Sequence, residues 1–313
     1  MAVLEVEGLT VRFRTPRGLV HALTDAHFRV ERGEVLVILG ESGSGKTVLA
    51  HALMRLLPRN SVVTGKVVLE GISLFDLPES RMRAVRARRM ALIPQSAGAA
   101  LNPVRRVGPL LMELARGKGL DAQTARARLA AALQELDLPL EQIWDRYPHH
   151  LSGGMQQRVV NALAWVGKPA VVIADEPTFG LDADLVEVTA SSLRRMAEQG
   201  AAVLVITHDL RLAQRLGTRV ALIYASYIVE LRDTPAFFAG PAHPYGRGLL
   251  QALPERGGIP IPGFPPELTH LPQGCPFAPR CSHRTERCSR EVPPLLPLPM
   301  DRGAVRCVLY ASG

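Results

Sequence analysis

Apolar residues recur along this chain in two rhythms, and their alternation sets the expected fold. Near the N-terminus Leu4-Glu5-Val6 and Leu9-Thr10-Val11-Arg12-Phe13 alternate apolar with polar side chains, the period of half-buried strands, so residues 1–33 read as short strands and turns. Residues 34–39 form an almost unbroken apolar run, as a strand covered on both faces must. Comparable runs recur at 90–93, 171–174, 203–207 and 220–224, and 64–69 reads as another strand. Between them the period lengthens. Residues 48–57 read as a helix stopped by Pro58, and 154–166 and 184–199 are helical in pattern. Residues 121–136 place Ala125, Leu129, Ala132, Leu133 and Leu136 on one helical face inside an otherwise irregular insert. Strands alternating with helices predict a mainly parallel sheet covered on both faces, the α/β class.

The pattern breaks near Pro235. Fourteen of the 25 prolines and all four cysteines lie in residues 236–313, a density that leaves no room for long helices or central strands. The expected organisation is one domain over 1–235, with a helical subdomain over about 96–165, and a small irregular extension over 236–313. No internal repeat or low-complexity tract interrupts either part.

Composition narrows the setting. No window approaches the roughly 18 uninterrupted apolar residues that a membrane-spanning helix needs. The start, Met1-Ala2-Val3-Leu4-Glu5-Val6-Glu7, lacks the basic residues and apolar run of a leader. The expectation is a cytosolic chain that reaches a membrane only through partners. A formal charge of +8 raises the question of nucleic acid, with Arg81, Arg83, Arg86, Arg88 and Arg89 as the densest cluster. No aromatic residues interleave it, so the cluster reads as a solvated helix face and no direct nucleic-acid partner is expected.

Candidate chemistry starts at Gly40-Glu41-Ser42-Gly43-Ser44-Gly45-Lys46-Thr47, which follows a strand and opens a helix. The glycines let successive backbone N–H groups face a phosphate chain, and the helix N-terminus adds partial positive charge. Lys46 suits the β- and γ-phosphates, and the Thr47 hydroxyl suits Mg²⁺. The run 171–174 ends in Asp175-Glu176. Asp175 suits Mg²⁺ through water, and Glu176, one residue beyond, suits polarising an attacking water. A second anion grip opens at Leu151-Ser152-Gly153-Gly154-Met155-Gln156-Gln157-Arg158, where Ser152 caps a helix. Two phosphate grips and one nucleotide point to a second subunit, whose ATP the second grip would serve.

The cysteines form the set Cys275-x5-Cys281-x6-Cys288-x18-Cys307. Reduced cytosolic thiols argue against a disulfide framework. Four thiolates suit tetrahedral zinc or an iron–sulfur cluster, and the lack of paired C-x2-C knuckles favours the cluster; unliganded thiols are the third reading.

In their order, these motifs resemble those of the ATP-binding subunits of ABC transporters, and the resemblance covers residues 1–235. It implies an ABC-type P-loop nucleotide-binding domain, a mixed sheet with a helical subdomain, that hydrolyses ATP by in-line attack of water. It further implies that Gln95 touches Mg²⁺ and senses a membrane subunit, that His208 contacts the γ-phosphate, and that Phe13 stacks on adenine. Val48 completes the binding loop, while Ser152, Gly153, Gly154, Gln156 and Asp182 join the nucleotide-binding set, Ser152 and Gly154 toward the partner subunit's γ-phosphate. Three positions depart from the family: Phe179-Gly180-Leu181 before Asp182, Ser96-Ala97 after Gln95, and Ser226 where a turn glycine is common.

The extension, through His243-Pro244-Tyr245, Ile261-Pro262-Gly263 and the segment from Gly274 to Cys281, is similar to that of oligopeptide, dipeptide and nickel importer ATPases. Some of these carry a four-iron cluster on such cysteines. The resemblance implies a peptide importer, with nickel or a metal chelate as the alternative cargo and a soluble, non-transport ABC ATPase as the more distant one. Implied partners are a second ATPase subunit, a paralogue in many peptide importers, two membrane permeases and an extracytoplasmic binding protein. The implied location is peripheral, on the cytoplasmic face of the membrane.

Overall fold

The computed structural model describes residues 2–298 and 303–311. Met1, in the stretch read for a leader, and residues 299–302 and 312–313 of the extension lie outside the described residues. The chain forms two compact units, each built from non-contiguous segments.

The first unit comprises residues up to Leu4, Val30–Val35 and Leu69–Ile206. Three parallel strands run through it, Met90–Ile93, Val171–Asp175 and Ala202–Thr207, with Val171–Asp175 in the middle. Met90 pairs with Val171, and Asp175 with Ile206. Every residue of Val171–Asp175 is buried, which requires cover on both faces and explains the unbroken apolar run. The helices Val107–Gly117, Ala122–Gln134 and Gly153–Val166 pack together in the expected helical insert. Ala125, Leu129 and Leu133 are buried on the face that the periodicity marked, each leucine stabilising by about 1.5–3 kcal/mol.

The second unit comprises Glu5–Arg29, Leu36–Val68 and Thr207–Gly313, as far as it is described. Here Val35–Leu39 lies parallel to Arg219–Tyr224, with Leu36 opposite Arg219 and Leu39 opposite Leu222. Arg219–Tyr224 pairs antiparallel with Tyr227–Asp233. The turn between them puts Ala225 at φ 42° and Ser226 at φ 74°, the doubly left-handed geometry of a tight hairpin. Ser226 occupies the glycine position because its hydroxyl shares a 3.0 Å bond with the Thr24 hydroxyl while its N–H donates to the Ser44 carbonyl at 3.1 Å.

Two expectations need correction. The N-terminal segment forms two 14-residue strands, Ala2–Thr15 and Gly18–Glu31, rather than several short ones. Its alternation shifts by one position at Gly8, at φ 60°, without ending the strand, and the chain turns at Pro16-Arg17. The helix expected over 48–57 spans Lys46–Leu53, because Arg55 turns left-handed at φ 51° and ends it before Pro58 is reached.

The proline-rich extension is tied into this second unit by buried charge. Glu230, fully buried, accepts from the N–H groups of Ala242 and His243, both at 2.8 Å, and burial pushes its carboxyl above the ordinary range. The short strand Ala304–Val305 pairs antiparallel with Tyr227–Asp233. Beside it, the buried Arg306 donates to the carbonyls of Ile228, Pro293 and Asp25 and to the Asp25 carboxylate. Both helices that open the extension, Thr234–Ala239 and Pro244–Gln251, carry proline in their first turn, where the missing N–H costs nothing.

His243 caps the second of these helices, its Nδ1 accepting from the Tyr245 N–H at 3.1 Å. Burial, aided by the Arg247 charge, lowers its pKa to about 3. The folded state therefore holds His243 neutral where an unfolded chain would bind a proton, so this contribution is complete above pH ~6.5 and is lost as pH falls from there toward 3. The expected slope is about 1.4 kcal/mol per pH unit in that window. Thermal unfolding at about pH 7.5 and about pH 5.5 checks it: His243→Asn, which keeps a cap acceptor without titrating, should flatten the dependence. An unchanged slope in that variant would contradict the assignment.

Candidate functional site

Within the second unit the loop Gly40–Thr47 leaves the buried strand Val35–Leu39 and enters the helix Lys46–Leu53. Gly40, Gly43 and Gly45 all take positive φ, 159°, 77° and 105°. At two of them only glycine fits: a Cβ on Gly40 would collide with the Ile223 carbonyl, and one on Gly45 with the Ala22 carbonyl. The helix has no side-chain cap and no acidic residue in its first turn. That is the condition for binding an anion there.

Lys46 is buried, and its ammonium donates to the carbonyls of Gly40 at 2.8 Å and Glu41 at 2.9 Å. Its positive charge is thereby held inside the curl of the loop. The Ser44 hydroxyl is buried without a hydrogen-bond partner, an orphan inside the loop. Ser42, Gly43 and Thr47 are exposed at the loop surface, Val48 is half-buried, and the Phe13 ring is half-buried on the strand Ala2–Thr15. His208 is exposed at the end of Ala202–Thr207, in a turn fixed by the Asp209 N–H donating to the Thr207 hydroxyl.

The first unit carries the other named residues. Asp175 is 5% exposed at the end of its strand. Glu176 follows in the left-handed region at φ 46°, its N–H donating to the Ile206 carbonyl at 2.8 Å. A left-handed, non-glycine backbone costs about 1–3 kcal/mol and persists where neighbours fix it, a common device for aiming a functional side chain. Gln95 is exposed in the bend after Met90–Ile93.

The second grip is a helix start of a different kind. Ser152 accepts from the Met155 N–H at 3.3 Å, and Ser152 and Gly153 face solvent. Gly154 is buried against Leu185, whose side chain a Cβ there would strike. Two residues take up positioning work that their place in the nucleotide-binding set did not foresee. Gln156 donates to the carbonyls of Pro148 and Leu151, pinning the loop that presents Ser152. Asp182 caps the helix Ala183–Glu198 through the Leu185 N–H at 2.9 Å.

All four cysteines line one small cavity of the second unit, about 10 Å³, together with His243, Phe277 and His283. None is in a disulfide. Burial raises the Cys275 thiol to about 11 and pushes Cys281 and Cys307 upward as well. Among the described residues no three His, Cys, Asp or Glu side chains are arranged to hold a single metal ion.

Residues outside every sequence motif for nucleotide also act on the phosphate loop. The Glu41 N–H donates to the Tyr245 hydroxyl at 3.2 Å, and Arg280 donates to both Glu41 carboxylate oxygens at 3.2 Å. Tyr245 and Arg280 lie more than 200 residues along the chain from Glu41, so no local signal announces their role.

Comparison with known proteins agrees with this geometry. The family profile described as ABC transporter matches residues 23–179, and that described as oligopeptide/dipeptide transporter, C-terminal region, matches residues 229–288. The oligopeptide transport ATP-binding protein OppD of Haemophilus influenzae is 40% identical over 294 residues, 91% of each chain. The probable D,D-dipeptide transport ATP-binding protein DdpD of Escherichia coli is 40% identical over 297 residues, covering 91% of this chain and 90% of that one. Among solved structures, the dimeric bacterial ABC transporter cassette MJ0796 superposes with a TM-score of 0.66 at 25% identity, over 74% of this chain and 98% of that one. CbiO1 of Clostridium perfringens, part of the ABC transporter complex cbiONQ, gives 0.65 at 26%, over 76% and 91%.

Proposed function

This chain belongs to the ATP-binding subunits of ABC transporters, and from that premise we propose that it powers the import of oligopeptides or dipeptides through a membrane permease. The observation that carries the cargo class is the match of residues 229–288 to the peptide-transporter C-terminal region, joined to 40% identity with a peptide transport subunit across 91% of the chain. The relatives compared above are named for oligopeptides and D,D-dipeptides, which favours peptide over nickel.

In this reading the loop N–H groups of residues 40–48 and Lys46 hold the β- and γ-phosphates, which is what the uncapped helix start, the curled glycines and the orphaned Ser44 hydroxyl fit. Thr47, Gln95 and Asp175 would hold Mg²⁺, which offsets phosphate charge when bound. Glu176 orients and deprotonates the attacking water, His208 steadies the γ-phosphate, and Phe13 packs on the base. Ser152, Gly153 and Gly154 present their helix start to the nucleotide of a second ATPase subunit, with Gln156 and Asp182 as the supports described above. That subunit is a paralogue or a second copy, and the assembly includes two permeases and an extracytoplasmic binding protein. No helix among the described residues is long and apolar enough to cross a membrane; in the proposed assembly the permeases hold the chain at the cytoplasmic face.

A structural iron–sulfur cluster, with zinc as the alternative, is the proposed occupant of the four thiols, which line one small cavity. Buried thiols of raised pKa stay protonated and inert until a metal displaces the proton. Iron and sulfide analysis of anaerobically purified protein checks this; zinc alone, or no metal, would exclude the cluster.

Purification from native membranes tests the function. The chain is expected to bring with it two permeases and a second ATPase, and a binding protein charged with peptide. Isolation free of any membrane subunit, or with a binding protein that carries nickel, would contradict the reading.

A further inference from the structure

Three segments mark the extension: His243-Pro244-Tyr245, Ile261-Pro262-Gly263 and the stretch ending in Arg280-Cys281. All three converge on one residue of the phosphate loop. The Tyr245 hydroxyl accepts from the Glu41 N–H at 3.2 Å. Arg280 binds both Glu41 carboxylate oxygens at 3.2 Å, and its side chain is only 7% exposed. The rest of the guanidinium is fixed by the second segment: Nε donates to the Pro262 carbonyl at 3.0 Å and Nη2 to the Ile261 carbonyl at 3.4 Å. Nη1 also donates to the Tyr224 hydroxyl at 3.2 Å. Behind the fork, the rings of Tyr224, Tyr245 and Phe277 pack with centroids 4.6–5.4 Å apart.

The cysteines mount this fork. The short helical turn Ala278–Arg280 lies between Cys275 and Cys281, with the Cys275 carbonyl accepting from the Ala278 N–H at 3.0 Å. The Cys275 N–H donates to the Cys288 carbonyl at 2.8 Å. Displacing the cysteine segment thus displaces Arg280.

Charge gives the arrangement its consequence. Glu41 places a carboxylate in a loop built for a polyanion, which opposes nucleotide unless the charge is neutralised. A guanidinium held on five acceptors does so in fixed geometry, which lysine's point charge would not reproduce. We propose that Arg280 is a positioning residue through which the cysteine-bearing extension sets the affinity of the phosphate loop for MgATP, by clamping and neutralising Glu41. The proposal rests on the nucleotide-binding reading of residues 40–48.

Calorimetric titration of the full chain with MgATP, below the unfolding midpoint of each variant, tests it. Arg280→Gln is expected to weaken binding about tenfold, a coupling of the size seen for contacting charged residues. Adding Glu41→Gln to Arg280→Gln should recover most of that loss, because the unneutralised carboxylate is then gone. Cys281→Ser should weaken MgATP severalfold with Arg280 present and add nothing in the Arg280→Gln background. Wild-type affinity in Arg280→Gln, or no recovery in the double variant, would overturn the neutralising role. Additive losses from Cys281→Ser and Arg280→Gln would overturn the link to the cysteines. Failure of the unsubstituted chain to bind MgATP would instead remove the nucleotide reading itself, and the proposal with it.

Discussion

Glu176→Gln is expected to abolish ATP turnover while leaving ATP binding in place. The backbone at this position is set by its surroundings: φ is 46°, the N–H is held by the Ile206 carbonyl, and the buried Pro177 follows. Glutamine has the same shape and meets the same backbone demand, so the side chain stays aimed as before. What it lacks is a carboxylate to take the proton of the attacking water, a loss that lowers rates by about 10²–10⁴-fold. In the proposed reading, ATP binding rests on residues 40–48 and not on this carboxylate. Steady-state hydrolysis and equilibrium binding, measured on the same preparation, separate the two effects. Turnover within about tenfold of wild type would show that another group is the base.

Gly45→Ala is expected to remove nucleotide binding almost completely. At φ 105° an alanine is strained, and its Cβ would collide with the Ala22 backbone carbonyl, which no rotamer change relieves. The loop must therefore leave its present path, and the helix start moves with it. Gly43 makes the control. It also has positive φ, 77°, but a Cβ there meets nothing within 4 Å, so Gly43→Ala carries only the left-handed cost of about 1–2 kcal/mol. Binding weakened at least a hundredfold in the first variant and about thirtyfold or less in the second is the expected pattern, following 1.4 kcal/mol per factor of ten. Equal effects at the two positions would mean that the Ala22 carbonyl is not the constraint.

The sequence made the secondary structure of the catalytic segments readable because both signals there are local. A fully apolar run such as 171–174 can only be a strand covered on both faces, and a glycine-rich loop between strand and helix has few geometries available. The helical face of Ala125, Leu129 and Leu133 was likewise visible from spacing, and it is buried. The helix at Lys46 was misjudged at its end because the left-handed turn at Arg55 has no glycine or proline to announce it. The alternation along Ala2–Thr15 shifts phase at Gly8 without ending the strand, which spacing alone does not distinguish from a break between two strands.

The supports of the site were illegible for a different reason. Glu230 receiving two N–H groups from the start of the extension, Arg306 bridging to Asp25, and Arg280 on Glu41 all join residues far apart in sequence. Their side chains look like ordinary surface charges until the fold buries them. Asp182 and Gln156 show the converse. Motif membership placed them with nucleotide, while their hydrogen bonds show how a helix and a loop are held in place to present neighbouring residues.

The extension, read as an irregular appendage, is paired to the strand Tyr227–Asp233 and reaches the phosphate loop through two side chains. A segment this rich in proline needs such anchors, because its own core is small: Ala242, Leu298, Val305 and Cys307, with Tyr310 packed against them. Its cysteine cavity and its grip on Glu41 lie within the same compact unit, the setting that the proposed coupling requires.

The most direct test of the account is ATP hydrolysis by the chain assembled with its co-purified permeases and second ATPase in proteoliposomes, measured with the binding protein in the presence and absence of peptide. The expected result is hydrolysis stimulated by peptide-loaded binding protein, accompanied by peptide uptake, with both lost in Glu176→Gln. Hydrolysis indifferent to peptide, or stimulated by nickel alone, would contradict the assignment of this chain to peptide import.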